Sequence, residues 1–334
     1  MQIYIGYSGY SGLLGNEDRY HPLPATLEDL ALAIVTAGRS SWPNVLKGGI
    51  NRLYEITAIL LKTQAYVEEI PKGLATTDLY RNLDATEKAA ASYRIGMGFA
   101  KLVAEKRLGV PWLRHVDPLI RQNVIQTKLS THERPDMIGQ GVDRKWHVVE
   151  AKGRSSSDSS AISKGQQQAA AVNSVAGSTP KTQSACVAWL GYEPFCVDFV
   201  NTPTNHNSEA GAFEMVDSSL FGQEYYSLVR GLVQTTASED YSVPRINNWG
   251  STGSFRIFPI RGTNVALGVH MPIYESLQTE DPSFWTDYFA ANEFRKWVSY
   301  WYDYRRELRQ KQSDVSQEQR LSISQDGYLL LKIG

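Results

Sequence analysis

The short run Trp146–Lys152 mixes apolar residues with a His, a Glu and a Lys, and in a strand successive residues alternate side. Trp146, Val148, Glu150 and Lys152 therefore share one face of a predicted strand, and His147, Val149 and Ala151 share the other. Both faces carry apolar residues, which predicts a central strand covered on two sides. Shorter apolar runs at Trp112–Val116, Ser184–Leu190 and Phe195–Val200 predict further core strands. Helical spacing predicts a helix over Leu27–Ala37 capped by Thr26, and a long one over Ile50–Glu69 with Leu53, Ile56, Leu60 and Leu61 on its apolar side. A third helix starts at Asp84 or Thr86, runs to about Leu108 and is stopped by Gly109 and Pro111. Residues 1–24, rich in Gly, Tyr and Ser, read as a strand and turn or as a surface arm. The Ser-rich stretch Ser155–Ser160 leads into a helix bearing Gln166, Gln167 and Gln168. The order between Ala90 and Val200 is then αβββαβ, with five strands possible. A parallel pair across the Gln-bearing helix fits the crossover rule.

After Val200 the pattern changes to a polar linker, a helix over Ser218–Thr235 and a ribbon formed by Phe255–Ile260 and Asn264–Met271. An aromatic and basic helix follows over Pro282–Gln312, read as packing through Trp297, Tyr300 and Trp301 rather than stacking on nucleic acid. A last strand, Tyr328–Ile333, is expected to pair with the ribbon. The chain thus divides into a mostly helical region 1–89, a core 90–200, and an α+β region 201–334 that packs on the core or serves recognition.

Composition narrows the class. Apolar residues make up 42% of the 334 and charged residues 21%, the balance of a soluble globular protein, long enough for one large domain or two smaller ones. Nothing in the sequence has the length of a membrane span or the form of a signal peptide. Cys186 and Cys196, both in apolar strands, fit a cytoplasmic protein. The six histidines include no HExxH and no spaced Cys/His set, which excludes an ordinary zinc site. With 34 Lys and Arg against 35 Asp and Glu, the chain lacks the excess positive charge of a protein that grips duplex DNA alone. A nucleic-acid substrate would need a local basic patch, for which Arg154 and Lys164 are candidates, or a protein partner or second copy.

The chemistry concentrates at Asp136, Glu150 and Lys152. Asp136 lies on the short run Arg134–Ile138, which a turn at Gly139–Asp143 folds back against the next strand. Two carboxylates converging from neighbouring strands, with the Ala151 carbonyl, make an all-oxygen site suited to Mg²⁺ or Mn²⁺. Lys152 beside it can orient a water or stabilise developing negative charge. The competing reading is an ion-pair network that only fixes the hairpin register.

RPD, a spacer, VVEAKGR and a Gln-bearing helix together resemble the PD-(D/E)xK nuclease superfamily over roughly Ala90 to Val200. The resemblance implies a restriction-endonuclease-like mixed sheet flanked by helices and a metal-dependent nuclease, with DNA favoured over RNA. It matches Asp136 to the motif Asp, Glu150 to the motif acid and Lys152 to the motif Lys. It matches Gln168, with Gln167 next, to the helix glutamine; Gln168 is preferred because its spacing to Val172 and Val175 places it near the apolar side of its helix. It also matches Glu105 to the Glu that many members supply from the preceding helix. The alternative is a module of the same fold without catalysis, binding nucleic acid or serving as a structural subunit of a defence or repair complex.

Overall fold

The computed structural model describes residues 2–10, 17–37, 50–128, 134–156, 158–202, 211–216, 218–237, 245–246, 255–260, 263–279 and 321–332. It is a mixed α/β protein centred on a seven-stranded sheet. The strands are β1 (Gln2–Ser8), β2 (Glu17–Pro24), β3 (Trp112–His115), β4 (Met137–Gln140), β5 (Trp146–Arg154), β6 (Thr182–Trp189) and β7 (Cys196–Asn201). Across the sheet they run β2, β1, β7, β6, β5, β4, β3. The pairs β5–β6 and β1–β7 are parallel and the others antiparallel.

The N-terminal stretch is a strand of this sheet, not a surface arm, and it raises the five expected strands to seven. The reason is its alternation: Ile3, Ile5 and Tyr7 are buried while Gln2, Tyr4 and Gly6 are partly open. Helix α1 (Leu27–Ala37) starts where expected. Thr26 accepts from the Asp29 amide (3.1 Å), and the Asp29 carboxylate accepts from the Thr26 amide (3.2 Å). Helix α2 (Ile50–Tyr66) ends earlier than predicted, because β-branched Val67 opens a hairpin, Val67–Ile70 with Gly73–Thr76, that takes Pro71 into its turn. Ile56 and Leu60 are buried, but Leu61, expected on the same face, is exposed; the side chain of Leu53 lies outside the described residues.

Helix α3 (Ala85–Val103) is capped by the Asp84 carboxylate, which accepts from the Thr86 and Glu87 amides. A π-helical turn, Ala104–Leu108, extends it to Gly109. Helices α1 and α3 pack on each other, and α3 lies on β5 and β6. Helix α4 (Ser160–Ala170) carries the chain from β5 to its parallel neighbour β6 and packs on both. The central strand is therefore covered on both faces, as its sequence predicted.

Beyond Asn201, a short strand (Gly211–Met215) joins Ile125–Lys128 and Val172–Val175 in a three-stranded sheet. The single helix expected over Ser218–Thr235 is two, Ser218–Tyr225 and Ser227–Ala237, with Tyr226 between them. Strands β8 (Phe255–Ile260), β9 (Val265–His270) and β10 (Tyr328–Lys332) pair antiparallel as predicted, within a five-stranded sheet. The expected aromatic helix Pro282–Gln312 lies outside the described residues. A buried polar cluster fastens this region to the core. Lys101 Nζ, on α3, donates to Asp326 (2.9 Å), the Tyr225 hydroxyl (2.6 Å) and the Pro111 carbonyl (2.7 Å), and neither Lys101 nor Asp326 is exposed to water. Among the described residues no helix is long and apolar enough to cross a membrane.

The seat of α3 on β5 depends on a glycine. A Cβ on Gly153 would lie 1.9 Å from the Ser92 carbonyl oxygen, and a Cβ on Gly96 would lie 2.6 Å from the Gly153 nitrogen. Backbone faces backbone there, so no side-chain rotation relieves a clash. Gly153→Ala is expected to destabilise the protein by about 3 kcal/mol through overpacking, measured by urea unfolding; an unchanged midpoint would contradict this packing.

Candidate active site

The register of the central hairpin brings the two carboxylates together. Met137 pairs with Val149 and Ile138 with Val148, so one step back along the same register sets Asp136 opposite Glu150. The strand begins at Met137, not at Arg134, and the turn occupies Gly141–Lys145, two residues later than predicted, with Gly141 donating to the Lys145 carbonyl. Gly139 is paired within the strand because its missing side chain admits the Leu113 and Trp112 backbone of β3.

Asp136 ends up at the mouth of the strand with every carboxylate oxygen addressed. Its Oδ2 accepts from the Ala151 amide (3.1 Å) and its Oδ1 from the Tyr93 hydroxyl (3.2 Å). Its own amide donates to Glu150 Oε2 (3.0 Å). Glu150, only 3% exposed, uses its other oxygen to accept from Lys152 Nζ (2.7 Å). Lys152 in turn donates to Gln168 Oε1 (2.6 Å). Glu150 and Lys152 extend on the same face of β5, as alternation requires, and α4 covers that face. Gly165 permits the close approach: a Cβ there would meet the Ala185 Cβ at 2.9 Å and come within 3.7 Å of Glu150 and Lys152 side-chain carbons.

The electrostatics of this corner are those of a site short of positive charge. Burial pushes the Glu150 carboxyl well up, the Asp136 charge pushes it further, and Lys152 opposes both. Burial also raises Asp136. Two carboxylates this close resist ionising together, and a divalent cation would offset the repulsion. Ala151, whose amide holds Asp136, lies beside the pair in the strand. Among the described residues no group of three or more His, Cys, Asp or Glu side chains is arranged to hold a metal. Any metal here rests on two carboxylates, the backbone and water, a donor set suited to Mg²⁺ rather than Zn²⁺.

The pair opens into a cleft of about 630 Å³ lined by Asp136, Glu150 and Lys152 with Ser92, Tyr93 and Arg154. Arg154 is 39% exposed and faces Asp158 (3.5 Å). Lys164 is exposed on α4 and does not line the cleft. Gln167 is exposed, whereas Gln168 is the glutamine that reaches Lys152. The reason given for Gln168 does not hold, because the helix ends at Ala170 and Val172 and Val175 lie in the next strand. His132, a candidate for the site mouth, and Glu133, the local competitor of Asp136 as a ligand, lie outside the described residues.

Glu105 is not at this site. Its carboxylate accepts from the Gln325 amide (2.7 Å) beside the Lys101–Asp326 pair. Its place along the helix, about 18 Å from Tyr93 and one turn past Lys101 on the side that meets Asp326, keeps it from the cleft. From the same helix it is Tyr93 that reaches the carboxylates, and its hydroxyl also bonds His115 Nε2 (2.8 Å). Two signals point to that pair. Tyr93 lies three turns inside the Asp84 cap, and His115 is the last residue of β3, at the same end of the sheet as Asp136. No protein-family model, curated protein or solved structure matches the chain.

Burial and the neighbouring Asp326 charge push Glu105 up to about 7. A carboxyl held above its unfolded value favours the folded state while protonated, so its contribution is full below about pH 4.5 and is lost as pH rises through 7. Glu105→Gln is therefore expected to flatten the stability profile between pH 5 and 8 by on the order of 2 kcal/mol in urea unfolding. A profile parallel to wild type would contradict a proton held at Glu105.

Proposed function

We propose that this chain is a metal-dependent nuclease of the PD-(D/E)xK type, built on a restriction-endonuclease-like core within its mixed sheet. The observation that carries the reading is the run Asp136–Glu150–Lys152–Gln168, linked by contacts of 2.6–3.0 Å around the buried Glu150. Four residues singled out by one motif meet on two strands and the following helix. An ion-pair network that merely fixed a hairpin would have no need to bury Glu150 beside Asp136, because such a pair costs stability. The free Cys186 and Cys196 are in keeping with a cytoplasmic setting.

Asp136 and Glu150 would hold Mg²⁺ (or Mn²⁺), with the Ala151 carbonyl offered as a third oxygen. When bound, such an ion supplies a water of lowered pKa and neutralises charge on a phosphate. Lys152 spends two of its three N–H donors on Glu150 and Gln168, which fixes the ammonium and leaves one donor for the attacking water or a phosphate oxygen. Gln168 acts through Lys152 by holding it in place. Water adds to phosphorus, the bond to the leaving sugar oxygen breaks, and the water's proton ends on that oxygen. The products are a phosphate monoester and a hydroxyl. Arg154 at the cleft, with Lys164 beyond it, supplies the local positive charge that the near-neutral chain otherwise lacks. DNA is the favoured substrate, and a protein partner or second copy would extend the contact surface.

The test is cleavage of labelled single-stranded, duplex and branched DNA, and of RNA, with Mg²⁺ or Mn²⁺. Metal-dependent products are expected from wild type, with losses of about 100-fold or more in Glu150→Ala and Lys152→Ala. Cleavage that survives EDTA, or that persists in folded Glu150→Ala, would contradict the reading, as would wild type that neither binds metal nor cuts any substrate.

A further inference from the structure

Three groups outside the motif form a hydrogen-bonded line that ends on Asp136. The Asp117 amide donates to His115 Nδ1 (3.0 Å), His115 Nε2 lies 2.8 Å from the Tyr93 hydroxyl, and that hydroxyl donates to Asp136 Oδ1 (3.2 Å). The direction of the line is set at its far end. A backbone amide can only donate, so the Nδ1 lone pair is occupied and the ring proton sits on Nε2. Nε2–H then donates to the Tyr93 oxygen, which leaves the single hydroxyl proton for the carboxylate. An ion pair between Arg134 and Asp117 ties the segment before Asp136 to the same corner. The Asp136 carbonyl also accepts from the Val116 amide (2.8 Å), next to His115.

We infer that Tyr93, aligned by His115, is a positioning residue that fixes the Asp136 carboxylate for a divalent cation. With the Ala151 amide on Oδ2 and the Tyr93 hydroxyl on Oδ1, the carboxylate cannot rotate, and each oxygen keeps one lone pair for a metal. Without Tyr93 the carboxylate is held at one oxygen only and its orientation is lost. The hydroxyl is poorly suited to a purely structural role. Tyr93 is 43% exposed at the cleft wall, and a fold-stabilising tyrosine would bury its ring. His115 does not touch Asp136 in this line and acts through Tyr93.

The inference rests on the metal site proposed above, and Mn²⁺ alone, titrated calorimetrically into the full chain, separates the two. The expected result is a Kd about 10-fold weaker in Tyr93→Phe than in wild type, with the metal-free melting temperature within about 2 °C of wild type. His115→Ala should lose a similar factor, and adding it to Tyr93→Phe should cost nothing further, because both act through one contact. His115→Gln, which restores an N–H donor toward Tyr93, should recover most of the affinity. Equal or tighter binding by Tyr93→Phe, while Asp136→Ala fails to bind, overturns the inference and leaves the metal site standing. Full additivity in the double variant overturns the order His115 through Tyr93. Absence of Mn²⁺ binding by wild type overturns the metal site, and this inference with it.

Discussion

A carboxylate on a strand covered from both sides must be neutral, paired or bound to a cation, and Glu150 is such a carboxylate. Much of the local architecture follows from keeping it there. The hairpin register places the Asp136 amide on one oxygen and β5 alternation places Lys152 on the other. Gly165 lets α4 come close enough for Gln168 to hold Lys152. On the opposite face, Gly153 lets α3 lie against the strand, and that helix brings Tyr93 to Asp136. Charge compensation remains incomplete, since one ammonium faces two carboxylates in a place that water scarcely reaches. The site also faces a cleft, lined by Asp136, Glu150 and Lys152, where a cation could enter.

The comparison lies within the same molecule. Lys101 and Asp326 are also buried, with Glu105 beside them as a second carboxyl, and Tyr225, Pro111, Ser324 and the Gln325 amide satisfy what remains. That pair is closed to water and joins elements separated by more than 200 residues in sequence. It is a fastener between the core and the C-terminal sheet, and Glu105 belongs to it. Two buried charge clusters on one helix thus serve different ends. Tyr93, near the helix start, faces the cleft, and Lys101 and Glu105, near its end, face the interior.

The sequence made the site more legible than the fold around it. Asp136, Glu150 and Lys152 could be placed because strand alternation and a short hairpin leave few registers open. Gln168 is the glutamine that meets Lys152, but spacing to Val172 is not why, since the helix stops first. Glu105 was misplaced because helical spacing gives a face and not a position along the axis: it stands beyond Tyr93 and one turn past Lys101, at the end of the helix that meets Asp326 and not the cleft. Tyr93 and His115 could each be placed, near a helix start and at a strand end, but their meeting depends on how α3 seats on the sheet, which Gly96 and Gly153 set. The N-terminal strand was ambiguous because its glycines and tyrosines resemble a surface arm until β7 supplies a parallel neighbour.

The most direct measurement is a crystal structure of the full chain soaked in Mn²⁺, with data collected at the manganese edge. The account predicts an anomalous peak bridging the carboxylates, within about 2.5 Å of an oxygen of Asp136 and of Glu150. A well-ordered site with no peak at saturating Mn²⁺, and with Lys152 still the only cation against Glu150, would contradict it and leave the cluster as a structural ion pair.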